Sequence, residues 1–158
     1  MKTTLLKNKN GFTAIELLFV LLFIGILIFI SVSFLNTSRT KTRDAKRLVD
    51  VRRIQTALEF YFLEYSTYPA FDQPVILGEE SFVQLCDEGV GALVSVSTAC
   101  ESVFMAPIPK DPGSGNYYYL GNAEGYTIQF VTEDTTEIGV AGRYYAHTEN
   151  IDKDQTLK

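Results

Sequence analysis

The hydrophobic pattern of this chain changes twice, and each change predicts a different kind of element. From Phe12 to Leu35 it is nearly unbroken, FTAIELLFVLLFIGILIFISVSFL, 24 residues with a single charge, Glu16. At about 1.5 Å per residue a helix of that length spans roughly 36 Å, enough for a hydrocarbon core of about 30 Å. A carboxylate inside it costs on the order of 3 kcal/mol at mid-span, less toward the interface, and calls for a partner. Gly25–Ser33 mixes a glycine, isoleucines, a valine and serines, which are poor helix formers in water. In lipid the helix persists there, because freed backbone groups find nothing else to bond.

From Asn36 to Glu64 there is no proline and no glycine, and the pattern turns amphipathic. Leu48, Val51, Ile54, Leu58, Tyr61 and Tyr65 recur at steps of 3, 3, 4, 3 and 4, one face of a helix. Arg47, Asp50, Arg52, Arg53, Gln55, Glu59 and Glu64 fall between them and are expected to face water, with Asp44–Arg47 and Asp50–Arg53 as weak i,i+3 pairs. The helix should stop at Ser66–Pro69, since a residue before proline avoids the helical region, and Tyr68 then packs back on Tyr61 or Tyr65. The expectation is one helix of about 54 residues, roughly 80 Å long.

Beyond it, 67–109 reads as a connecting region in which Pro74, Gly78, Gly89 and Gly91 break any period, with Ser81–Cys86 as a short helix capped by Ser81. From 110 to 148 the pattern is β. Tyr117–Leu120 and Tyr126–Thr132 form a hairpin about the loop Gly121–Gly125, and Arg143–Ala146 adds a third strand. Tyr126, Ile128 and Phe130 share the face that should meet the helix stripe. The polar tail, 149–158, is expected to fray. The fold class that follows is α+β, a long N-terminal helix packed on a small antiparallel sheet.

Charge sharpens this division. The first ten residues carry Lys2, Lys7 and Lys9 and no acid; 36–65 holds seven bases and four acids; 66–158 holds four bases and fourteen acids. An acidic head on a basic stem argues against nucleic acid as a partner. The stem bases Arg39–Arg53 are expected to meet acidic heads of neighbouring copies or lipid head groups. Charge counting alone leaves the orientation of the span open, because bases flank both ends.

Little in the chain speaks for catalysis. His147 is the single histidine and is read as a surface residue; no glycine-rich phosphate loop follows a strand, and the cysteines lack metal spacing. An enzyme is not expected. The nine tyrosines are read as core and cross-strand packing rather than as platforms for DNA or glycans. Cys86 and Cys100 either close a disulfide in an oxidising compartment or stand as two buried thiols.

Basic leader, Gly11, Phe12, then an apolar helix with Glu16 one turn in: this sequence of features resembles the N-terminus of type IV prepilins and pseudopilins. Thr13, Ala14, Ile15, Leu17 and Leu18 fill out the pattern. The stem DAKRLVDVRRIQTALEFYFLEYSTYP is similar to that of major pseudopilins and short pilins, so the likeness covers 1–69, and IPKDPGSGNYYYL with GYTIQFV extends it more loosely into the sheet. The resemblance implies a leader 1–11, a membrane and filament-core helix 12–35, and an amphipathic stem 36–66. It implies cleavage between Gly11 and Phe12 by prepilin peptidase, methylation of Phe12, and pairing of the new Phe12 amine with Glu16 of a neighbouring subunit. Implied partners are identical or related pilin subunits, the peptidase, an inner-membrane assembly platform and membrane lipid. The N-terminus would be cytoplasmic, and the head would end in an extracellular pilus or a periplasmic pseudopilus. No cofactor is expected. Major pseudopilins hold calcium in a C-terminal loop, and Glu133-Asp134-Thr135-Thr136-Glu137 offers oxygens without the family's glycine- and aspartate-rich pattern. The competing reading is an extracytoplasmic binding module on a membrane anchor, an adhesin or DNA-uptake component that forms no filament.

Overall fold

The computed structural model describes residues 11–79, 81–87, 92–95 and 99–157, with no side chains for 33–37. The leader lysines and the positions of Gly89 and Gly91 lie outside the described residues. The chain falls into two compact units, Met1–Ser38 and Arg39–Lys158. A single helix, α1 (Ala14–Tyr65), runs through the end of the first and the start of the second.

In the first unit every described side chain from Gly11 to Val32 is exposed. The helix begins on a polar cap: Thr13 Oγ1 accepts the Glu16 amide at 3.3 Å, and the Thr13 carbonyl accepts the Leu17 amide at 3.1 Å. It stays helical through Gly25, and Ser31 returns its hydroxyl to the Leu27 carbonyl at 2.7 Å, which keeps that group satisfied without water.

The second unit is built on the stem's apolar stripe. Leu48, Val51, Ile54, Leu58 and Tyr61 are buried, joined by Ala57, while Tyr65 is half-buried. They share one core with a five-stranded antiparallel sheet of order β1-β5-β6-β7-β8: β1 (Val75–Leu77), β5 (Tyr117–Gly121), β6 (Tyr126–Thr132), β7 (Gly142–Ala146) and β8 (Ile151–Asp152). The register sets Val75, Tyr119, Ile128 and Ala146 in one row across four strands, and Phe130 opposite Tyr144 in the next. Tyr126, Ile128 and Phe130 are all fully buried, as their period-2 spacing predicts. Each such side chain contributes roughly 1.5–3 kcal/mol by leaving water.

The end of α1 departs from expectation in its packing. Ser66 takes φ 54° and donates its amide to the Phe62 carbonyl at 2.7 Å, a left-handed cap made by serine. Tyr68 stacks on Phe62 at 4.7 Å and meets Tyr126 edge-on at 4.9 Å, rather than returning to Tyr61 or Tyr65. Those two are already engaged, with each other at 4.7 Å and both with Phe104. The Tyr68 hydroxyl donates to Glu59 at 3.1 Å, and burial followed by that carboxylate pushes the phenol up to about 12.

Two further segments differ. Ser81–Cys86 is no helix: Ser81 lies in a turn, and β2 (Gln84–Cys86) sits between β3 (Leu93–Val94) and β4 (Val103–Met105) in a second, three-stranded sheet. All three β2 residues are buried, which neighbours on both edges make possible. The tail expected to fray instead adds β8, whose Ile151 pairs with Ala146.

Candidate functional site

Gly11 and Phe12 precede the first helical turn, and Phe12 is 77% exposed. A Cβ built on Gly11 would touch nothing, so the fold of a single chain does not demand glycine there. Glu16 lies in the first turn, where the helix dipole favours a negative charge. The stretch Ala14–Val32 is long and apolar enough to cross a membrane, and none of it is buried within the chain. About nineteen residues of greasy surface therefore require lipid or other chains as cover.

The stem's charges are arranged quite differently from the expected solvated fringe. Arg47 and Asp50 are each only 3% exposed and Asp44 only 1%. Arg47 reaches Asp44 with Nη1 at 2.6 Å, and clasps Asp111 with Nε at 2.7 Å and Nη2 at 2.9 Å, a bidentate pair. Its Nη2 also meets Glu133 at 2.8 Å. Gly113 makes room for this: a Cβ there would stand 2.7 Å from Arg47 Nη2. Asp44 in turn accepts the backbone amides of Glu133 and Asp134, at 3.0 and 2.7 Å, so a stem carboxylate caps the turn after β6. Arg43 binds Glu133 from outside, and Arg52 binds Glu137.

These contacts set the proton affinities. Hydrogen bonding to Asp111 holds the Arg47 guanidinium firmly protonated against the effect of burial. Burial alone would raise Asp111, but the Arg47 clasp and the Gly113 amide carry it below the usual carboxylate range. The Arg43 hydrogen bond draws Glu133 down to about 2. Asp50 moves the other way: burial raises it, and Lys46 and Arg53 only partly offset that.

Three readings of the sequence change as a result. Arg43, Arg47 and Arg52 neutralise acids of their own head rather than those of neighbours or lipid. The acidic turn weighed for calcium has Glu133 and Glu137 answered by guanidinium groups, and Asp134 Oδ1 accepts the Thr135 amide. His147 is not a surface residue: it is 1% exposed, its Nε2 lies 3.2 Å from Asp152 Oδ1 and 3.0 Å from the Asp154 carbonyl, and its own carbonyl accepts Gln55 Nε2 at 2.6 Å. The ring thereby ties the last residues to the sheet, and Gln55 ties that corner to α1.

Cys86 and Cys100 are joined, with Cα atoms 5.7 Å apart across a separation of 14 residues, and the bond fastens β2 to the segment entering β4. Tyr117, Tyr119, Tyr126, Tyr144 and Tyr145 are buried, which removes them as stacking platforms.

No family model matches the chain, and no solved structure does. Curated relatives do. The chain is 29% identical to the type II secretion system core protein G of Vibrio cholerae serotype O1, over 80% of this chain and 81% of that protein. It is 25% identical to the type II secretion system core protein G of Aeromonas hydrophila, over 86% of each. With that of Klebsiella pneumoniae the identity is 26%, over 73% of this chain and 76% of the relative. Taken with the Gly11–Phe12–Glu16 N-terminus, the long helix and its antiparallel sheet, these likenesses support the type IV pilin and pseudopilin family.

Proposed function

We propose that the protein is a structural subunit of a filament, of the type II secretion pseudopilus kind. It is cut between Gly11 and Phe12 by a prepilin peptidase, methylated on Phe12, and assembled from the inner membrane through α1. The observation that carries this reading is the fully exposed apolar helix Ala14–Val32 with one carboxylate in its first turn, directly behind a glycine–phenylalanine junction. Cleavage frees an amine on Phe12, four residues before Glu16. In a bundle of such helices the amine of one copy meets the Glu16 carboxylate of the next, and each neutralises a charge otherwise stranded in apolar surroundings. The likeness to type II secretion core proteins supports the pseudopilus form, with the head in the periplasm and identical or related subunits, the peptidase, an assembly platform and lipid as partners.

A binding module on a simple anchor would keep its leader. Intact mass of protein extracted from membranes and from sheared filaments tests the proposal: the expected species is Phe12–Lys158 carrying one methyl group. Filaments built from chains that still bear Met1–Gly11 would overturn it.

A further inference from the structure

Cys86 and Cys100 are not alone where they meet. The Asp87 carboxylate joins them, and the ligand atoms of all three lie within 4.8 Å of one another. Successive residues of a regular strand point to opposite faces, so Cys86 and Asp87 would ordinarily look apart. Here β2 ends at Cys86 and the chain bends at Asp87, which brings the carboxylate to the sulfurs. Cys86 is 2% exposed, while Asp87 and Cys100 are half-buried, so the cluster is reached from solvent on the side of the latter two. No lysine or arginine among the described residues pairs with Asp87.

Contacts other than the sulfur–sulfur bond hold this arrangement together. β2 is paired on both edges, with β3 and with β4. The Cys86 amide donates to the Ala92 carbonyl at 2.9 Å and the Asp87 amide to the Ser102 carbonyl at 2.8 Å. The Glu101 amide donates to Asp87 Oδ1 at 3.0 Å, so the residues just after Cys100 are fixed beside Asp87. Gln84 Nε2 donates to Cys100 Sγ at 3.4 Å, a contact that favours negative charge on that sulfur. Two thiolates and one carboxylate are a donor set for zinc, which takes sulfur and oxygen in tetrahedral array and tolerates an open fourth position. Calcium and magnesium want oxygen throughout. The cysteines' separation of 14 residues shows no metal motif because the third donor is supplied by a bend in the chain.

We infer that in the reduced chain Cys86, Asp87 and Cys100 form a zinc site, with the fourth position open to water. Binding Zn2+ releases the two thiol protons and moves no electron. Closing the disulfide instead gives the same two protons and two electrons to a disulfide oxidant, which leaves as two thiols. The two outcomes exclude each other, since both use both sulfurs. Zinc therefore protects the pair from oxidation while it is bound, and the site is lost when the disulfide closes. Nothing in this inference depends on the filament reading.

Metal titration of the full-length, untagged chain in detergent tests it, after reduction by a phosphine and with air excluded. Zn2+ is added in competition with a chromophoric chelator, and Co2+ in a parallel series. The expected result is one Zn2+ per reduced chain and none on the oxidised chain, with cobalt giving thiolate charge-transfer bands and a tetrahedral ligand-field spectrum. Asp87→Asn keeps an oxygen for the Glu101 amide and should weaken zinc by at least about tenfold, whereas Glu101→Gln, at the exposed neighbouring acid, should leave it unchanged. Cys100→Ser should abolish the cobalt charge-transfer bands of the pair. Bound zinc should also slow disulfide closure by a small-molecule disulfide oxidant. Equal zinc on the oxidised chain, an unchanged affinity in Asp87→Asn, or no binding at micromolar Zn2+ overturns the inference. If reduction alone unfolds the head, Zn2+ should restore the circular dichroism of its buried tyrosines, and failure to restore it overturns the inference as well.

Discussion

Replacing Arg47 by methionine should cost the head about 3–5 kcal/mol, the usual penalty for breaking a buried ion pair from one side. The magnitude follows from what is left behind. Asp44 and Asp111 have side chains 1% and 2% exposed, and without the guanidinium both carboxylates stay buried next to each other. Each keeps some compensation, Asp44 from the amides of Glu133 and Asp134 and Asp111 from that of Gly113, so the cost stays within that range rather than exceeding it. For a domain of this size about 4 °C is lost per kcal/mol, giving a fall in melting temperature of roughly 12–20 °C. The chain has no tryptophan, so near-ultraviolet circular dichroism of its buried tyrosines in detergent is the suitable probe. Arg52→Met is the matched control: its pair with Glu137 is 60% and 61% exposed, and its loss should move stability by less than about 0.5 kcal/mol. The Arg47→Met deficit should also shrink as pH falls, because Asp111, no longer held down by the guanidinium, can then take up a proton. Equal costs for the two variants would refute the view that this cluster, rather than arginine content, holds the turn after β6 to the stem.

Glu16→Ala should insert into the membrane at least as well as the parent, since a costly charge is gone, yet lose filaments in electron micrographs; normal filament number and length would show that the carboxylate has no assembly partner. Replacing Cys86 and Cys100 together by serine should lower the urea stability of the head by about 3 kcal/mol, and a loss under about 1 kcal/mol would mean that the loop they close is constrained by other contacts. The pH profile of unfolding should have two limbs. Glu133, drawn down to about 2, contributes stability that is present above the ordinary glutamate range and is lost as pH falls toward 2, with Asp111 acting in the same direction and Asp50 opposing. Tyr68, raised to about 12, contributes stability that is complete below pH 10 and lost between there and 12. Tyr68→Phe should flatten that part of the alkaline limb and leave the acid limb intact; an unchanged alkaline limb would contradict the assignment.

The parts of the fold legible in the sequence are those with a long period. The stripe Leu48–Tyr61 and the alternation Tyr126–Phe130 each repeat often enough to fix a face, and both face the core. Strands of two or three residues, such as β1, β3 and β8, carry no period at all. Their positions come from partners far along the chain. Gln84–Cys86 is the instructive case, because a serine before an apolar run satisfies the rule for a helix cap, while pairing on both edges makes it a strand. In the candidate site, Gly11, Phe12 and Glu16 stand out in the sequence because a glycine–phenylalanine junction and a lone carboxylate are conspicuous at the start of an apolar run. His147 was not, since its partners Asp152, Asp154 and Gln55 come from a tail strand and a distant helix that no local pattern announces.

The buried charges were misjudged for a reason the sequence itself contains. Continuing the apolar stripe backward from Ile54 at steps of 3, 4 and 3 gives Val51, Arg47 and Asp44, so the helix turns the same face to the head while its residues change from aliphatic to charged. Residue type argued for water, and helical phase argued for burial. Phase decided, because Asp111 and the turn at Glu133–Asp134 bring opposite charge and backbone amides onto that face. The consequence reaches assembly. Of the seven stem bases, Arg43, Arg47 and Arg52 are paired with acids of the head, Arg47 buried and Arg52 at its surface, which leaves Arg39, Lys41, Lys46 and Arg53 facing outward. Contacts made by the outer face therefore depend on four cations rather than seven, and charge changes at Arg43 or Arg47 should alter the folding of the head before they alter its association. At Lys46 and Arg53, which are exposed, a charge can be reversed without breaking the Arg47 clasp on Asp44 and Asp111.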